Sequence, residues 1–129
     1  MDFAVITYLY SILREKLVPS PHGQCQIFIG PTQGGYGMIK KYINGHTYRL
    51  YAHRVAKLYA MGLAEVPHGV QCSHLCHRRT CCEPSHITLE PSGINNQRKT
   101  CNYRGECTGH IDPITATPLP QCIFIKKTS

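Results

Sequence analysis

No stretch of this chain is apolar for long enough to cross a bilayer. The most hydrophobic one, the first seventeen residues, breaks up at Arg14, Glu15 and Lys16, short of the roughly 20 residues a spanning helix needs. The same stretch lacks the marks of a secretory leader, because Asp2 stands where a basic region belongs and no small-residue cleavage site follows. The stretch therefore reads as neither a membrane helix nor a cleaved leader, and the expectation is an intracellular protein, nuclear if the host is eukaryotic, with no membrane partner. Acidic residues are scarce as well: seven Asp and Glu stand against fourteen Lys and Arg, giving a formal net charge of +7 and a pI near 9.1. Such an excess predicts an anionic partner, of which nucleic acid is the commonest, with plain solubility as the competing explanation. There is no internal repeat, no low-complexity tract and no long linker, so residues 1–129 read as a single domain with a modest core.

What the chain has in abundance is cysteine and histidine, eight of each. A domain this small needs help to stay folded, and these residues offer either a disulfide framework or metal sites. In a reducing compartment, cysteines interleaved with histidines favour zinc.

Val5, Leu9, Ile12, Leu13 and Leu17 recur at helical spacing and predict an amphipathic N-terminal helix within residues 1–18. A DNA-binding sheet is predicted over residues 24–50 as a three-stranded antiparallel meander. Its strands are Cys25 to Ile29, about Tyr36 to Tyr42, and His46 to Leu50, with Pro31 to Gly35 as a loop and Asn44-Gly45 as a tight hairpin turn. Lys40, Lys41 and Arg49 lie on it, and a basic ribbon of this width fits a DNA major groove. Val55, Leu58 and Tyr59 place a helix over Ala52 to Met61, which Gly62 stops. The run from Ser92 to Asn96 reads as turn-rich, and Cys122 to Ile125 as a last strand.

The chemistry concentrates between residues 70 and 122. Cys76, Cys81 and His86 stand at five-residue intervals across a loop. Tetrahedral zinc takes thiolates and imidazoles from such a turning backbone, and three ligands leave a fourth position for a distant group. Cys101, Cys107 and His110 form a second group, with Cys122 the only cysteine beyond them, so two four-ligand sites would use six of the eight cysteines. Free buried cysteine is the alternative.

From Ser73 to Cys101 the text closely resembles the His-Cys box homing endonucleases, a branch of the ββα-metal, or His-Me finger, nucleases. Ser73-His74-Leu75-Cys76-His77, then Cys81, Pro84-x-His86, Asn95 and Cys101 carry the likeness without a gap. A weaker likeness runs through Cys25 and the Tyr36-Gly37 and Asn44-Gly45 pairs. The resemblance implies an α+β fold with a ββα-metal core and two structural Zn²⁺ ions. It implies His74 as general base and Asn95 as ligand of one catalytic Mg²⁺. The first zinc would take Cys25, Cys76, Cys81 and His86, and the second Cys101, Cys107, His110 and Cys122, although the long gap before Cys122 departs from the pattern and leaves Cys72 or Cys82 as other choices. A sheet arginine holds the scissile phosphate in the family. Arg49 is its nearest counterpart, displaced by one residue, with Lys40, Lys41 and Arg54 as substitutes.

Other readings of the same residues stay open. His74 could ligate zinc beside Cys76, His77 could be the base, and Asn95 could cap a helix. The resemblance implies a site-specific endonuclease hydrolysing double-stranded DNA as a homodimer, with Gln121 to Lys127 reaching toward the partner subunit. The rivals are a zinc-dependent DNA-binding regulator that does not cut, a less specific HNH-type nuclease, and a secreted disulfide-rich basic protein.

Overall fold

In the computed structural model, which describes residues 2–21 and 24–124, the N-terminal helix α1 spans Phe3–Leu13. Asp2 caps it, its side chain accepting from the Ala4 N–H at 3.1 Å, which satisfies an amide the first turn leaves without a partner. Ile6, Leu9 and Leu13 form its buried face. The helix is shorter than the expected 1–18, because Leu17–Pro19 leaves it as strand β1 and pairs antiparallel with β2, Gln26–Phe28. Cross-strand partners for Leu17 and Val18 outweigh one more helical turn that Pro19 could not continue.

That pairing also corrects the predicted meander. The run beginning at Cys25 is not its first strand, since one edge of β2 is taken by β1 and the other meets the loop around Cys81. There the Phe28 N–H donates to the Thr80 carbonyl at 2.9 Å and the Cys82 N–H to the Gln26 carbonyl at 2.7 Å. The three-stranded sheet instead starts with β3, Thr32–Gln33, inside the segment expected to be a loop. Gly34 and Gly35, both at positive φ, turn it into β4, Tyr36–Ile43, and Asn44-Gly45, with φ of 49° and 82°, makes the expected tight turn into β5, His46–Tyr51. Gly37 is required for packing: a Cβ there would lie 2.4 Å from Cδ1 of the buried Phe28 ring.

Helix α2, Ala52–Met61, has the predicted bounds and ends on Gly62 at φ 70°. It packs on α1, where Tyr10 and Tyr59 stack at 4.0 Å, and presents Ala52, Val55 and Ala56 to a core shared with Leu9, Leu13, Phe28 and Ile39. Strands β6, Val70–His74, and β7, Ile87–Pro91, then form an antiparallel hairpin, followed directly by α3, Ser92–Arg104. The chain is thus α+β, with a ββα unit set beside a three-stranded antiparallel sheet. Ser92 to Asn96, expected to be turn, is the start of α3, which runs thirteen residues to Gly105. A small hairpin of β8, His110–Ile111, and β9, Pro118–Leu119, follows. Residues 122–124 form no strand. Their amides go elsewhere: the Ile123 N–H donates to the Leu75 carbonyl at 2.7 Å and the Cys122 N–H to Cys107 Sγ at 3.5 Å. The rest of the predicted strand and of the Gln121 to Lys127 arm lies outside the described residues. No helix among the described residues is long and apolar enough to cross a membrane.

Candidate active site and metal centres

Cys25, at the entrance to β2, meets Cys76 and Cys81 of the loop after β6 and His86 at the head of β7. Their ligand atoms all lie within 4.8 Å of one another, and all four residues are buried. Cys25 Sγ and Cys81 Sγ stand 3.4 and 3.7 Å from Nδ1 of His86. Bond lengths of roughly 2.3 Å to sulfur and 2.0 Å to nitrogen put S and N about 3.6 Å apart across a tetrahedral zinc, so this donor set fits the ion. The chemistry of the thiols fits as well. Burial pushes Cys25 up to about 11, and the hydrogen bond with Cys81 together with burial pushes Cys76 up, while the bond from Cys76 holds Cys81 down at about 5. Crowded buried sulfurs that resist a second negative charge are the setting a dication relieves.

The second cluster joins Cys101, in the last turn of α3, to Cys107, His110 and Cys122, again within 4.8 Å. Their sulfurs lie 3.6, 3.3 and 3.7 Å from Nε2 of His110. The long gap before Cys122 is occupied by the β8 and β9 hairpin, which folds the chain back onto the cluster, whereas Cys72 lies in the cavity described below and Cys82 in the apolar core. His110 Nδ1 donates to Gln97 Oε1 at 2.9 Å, which turns the lone pair of Nε2 toward the sulfurs. Behind Cys122 sits Arg98, buried and bound through two nitrogens to Glu90 of β7 at 2.6 and 2.7 Å, to the Pro120 carbonyl at 2.8 Å and to Cys122 Sγ at 3.4 Å. One guanidinium therefore fastens α3, the hairpin and the C-terminal segment together.

Between β6, α3 and the sheet lies a cavity of about 500 Å³, into which His74 and Asn95 both project with His53, Arg54, His77 and Arg79. His74 ends β6, outside both clusters. Its Nε2 is 2.9 Å from the Cys81 carbonyl. A carbonyl only accepts, so Nε2 carries the proton and Nδ1 keeps a free lone pair. Burial holds the His74 pKa below its usual value, which keeps the imidazole neutral. Asn95 is the fourth residue of α3 and does not cap it, since Pro91 stands at the cap position and no side chain bonds there. His77 lines the cavity from a left-handed backbone, φ 61°, with its ring stacked on Phe124.

Arg49 is not brought to this cavity. Its Nη2 donates to Gln33 Oε1 at 2.8 Å in a separate recess lined also by Lys16, Lys40 and Lys41. Lys40 and Arg49 are direct cross-strand partners and share a sheet face, while Lys41 lies on the face of the buried Ile39. Alternation puts Tyr36 and Tyr51 on the face of Lys40 and Arg49, and both tyrosines line the cavity. The basic face of the sheet thus runs into the cavity, with Arg49 two residues, or about 7 Å of strand, beyond Tyr51.

His53 was not legible in the sequence. Its ring lies 4.3 Å from that of His74, with Tyr36 against both, and its Nδ1 is buried without a hydrogen-bond partner. Burial, with a smaller push from His74, lowers its pKa to about 3. Nothing in the cysteine and histidine spacing marks it, because it reaches the site only through the junction of β5 with α2.

The family model described as the zinc-binding loop region of homing endonuclease matches residues 29–127, well over half of the chain. Comparison with curated proteins gave no match.

Proposed function

The chain belongs to the family of the zinc-binding loop region of homing endonucleases, and from that premise we propose that it is a site-specific DNA endonuclease whose phosphodiester hydrolysis runs in the cavity shared by His74 and Asn95. The observation that carries the reading is the orientation of His74. With Nε2–H committed to Cys81, the Nδ1 lone pair is the group free to take a proton from an attacking water. Asn95, across the same cavity, offers a hard amide oxygen suited to Mg²⁺. Bound there, that ion would neutralise charge on the phosphate and the departing oxygen.

Cys25, Cys76, Cys81 and His86 would hold one structural zinc and Cys101, Cys107, His110 and Cys122 the other, fixing β2, the hairpin and α3 around the cavity. Such sites suit a reducing compartment, where the thiols stay available. Lys40 and Arg49 would grip the DNA backbone along the groove, with Lys41 adding positive charge from the opposite face of the sheet. We assign residues 1–129 to one endonuclease domain that works as a homodimer, since one cavity cuts one strand. A monomer by sedimentation on DNA would sink the dimer.

The test is Mg²⁺-dependent conversion of a supercoiled plasmid library to nicked and linear forms. Cutting that requires Mg²⁺ is expected. Tight DNA binding with every target left intact would favour a zinc-dependent DNA-binding regulator instead.

A further inference from the structure

The cavity that holds His74 and Asn95 has a neighbour. His77, Arg79 and Asn102 line both it and a second recess of about 720 Å³, to which neither His74 nor Asn95 belongs. The loop between Cys76 and Cys81 contributes Arg78, Arg79 and Thr80 to that recess, and the C-terminal segment contributes Phe124. Two guanidiniums therefore stand next to each other in sequence on one short loop, and no Asp or Glu lines either space. Their contacts are with neutral groups. Arg78 donates to Ser20 Oγ at 3.4 Å and Arg79 to the Gly34 carbonyl at 3.1 Å, with Arg79 Cζ 5.5 Å from the centre of the Tyr36 ring. Each such bond uses one of five N–H donors, so it orients the fork and leaves its charge uncompensated. Arg79 is exposed and Arg78 half-buried, so both have surface that a ligand can reach. Phe124 is 41% exposed although His77 stacks on it, 5.4 Å between ring centres. A supported but open phenyl ring beside two uncompensated guanidiniums is the combination that binds an unpaired nucleotide, the ring taking the base and the cations its phosphate.

We propose that this recess is a second nucleotide subsite, which takes the nucleotide beside the cut with its phosphate on Arg78 and Arg79 and its base stacked on Phe124. The position of the cut rests on the nuclease reading. The shared residues His77, Arg79 and Asn102 mark where one strand passes from cavity to recess. A volume of about 720 Å³ accommodates a nucleotide. The base must leave its neighbours in the duplex to reach Phe124, and the ring and the two charges offset that cost. Because every base has a π-face, the subsite opens the strand without reading its sequence.

The chain has three phenylalanines, so ring-¹³C phenylalanine in the zinc-loaded protein gives three ring spectra, and Phe124→Leu identifies that of Phe124 by its loss. Titration with single-stranded pentathymidylate, free of Mg²⁺, is expected to shift the Phe124 ring and to leave Phe28, in the core, in place. Fluorescence anisotropy of labelled pentathymidylate should show binding weakened about tenfold in the double variant Arg78→Gln, Arg79→Gln, and about tenfold in Phe124→Leu, which lies outside the loop and tests the subsite without disturbing Cys76 or Cys81. In single-turnover plasmid cutting the double variant should need about tenfold more protein for its half-maximal rate, while Arg14→Ala matches the wild type. A Phe124 ring that ignores pentathymidylate, or that moves as far with inorganic phosphate alone, overturns the subsite, and so does unchanged affinity in the variants. A shifting ring in a protein that cuts no plasmid would instead keep the subsite and refute the nuclease.

Discussion

Cys81 bears on His74 through its backbone while its side chain belongs to a metal cluster: the Cys81 carbonyl accepts the Nε2 proton of His74 at 2.9 Å, and Cys81 Sγ lies 3.7 Å from His86 Nδ1. The first cluster therefore sets the tautomer of the proposed base as well as the shape of the loop. Zinc at this site would act on catalysis through one carbonyl oxygen, without touching substrate.

The two clusters should be separable by mutation. Cys76→Ser is expected to lose one of two zinc ions per chain together with cutting, because the loop carrying Cys81 is no longer pinned. Cys122→Ser should lose the other ion and loosen α3. Native mass spectrometry counts the metal directly. Two ions retained in either variant would mean that the cysteine in question is not a ligand.

A pH dependence follows from His53. Its folded pKa of about 3 lies below the usual 6.5, so its contribution to stability is fully present above pH 6.5 and is lost as the pH falls from 6.5 toward 3. Between pH 7 and 5 the wild type should lose about 2 kcal/mol more than His53→Gln. Urea denaturation at both pH values checks it, and equal losses in the two proteins would show that His53 does not hold the imidazole neutral.

The exposed basic face of the sheet predicts a salt signature. Lys40→Ala and Arg49→Ala should each weaken DNA binding and reduce the slope of log affinity against log salt by about 1. Fluorescence anisotropy across a salt series measures this. An unchanged slope would remove those side chains from the DNA contact.

How much of this was legible depended on how local each cause is. The ligand spacing of Cys76, Cys81 and His86, the Asn44-Gly45 turn and the bounds of α2 are written in neighbouring residues, and the structure has the turn and the helix where local rules put them. Leu17 and Val18 read as helix from spacing alone, yet their pairing with Ile27 and Phe28 is settled by tertiary structure, and the same pairing takes Cys25 and its neighbours out of the predicted meander. Ser92 to Asn96 looks like turn from Ser, Gly and Asn, yet Ile94 is buried and draws the segment into α3. His53 and Arg54 enter the cavity because β5 runs directly into α2 beside β6, a relation that no local spacing encodes.

The most direct measurement is the single-turnover cutting rate of His74→Ala beside the wild type, with zinc counted in both. We predict a fall of roughly 100- to 10,000-fold at unchanged zinc content and unchanged folding. A variant that cuts as fast as the wild type, or that loses zinc, would contradict the assignment of His74 as the base.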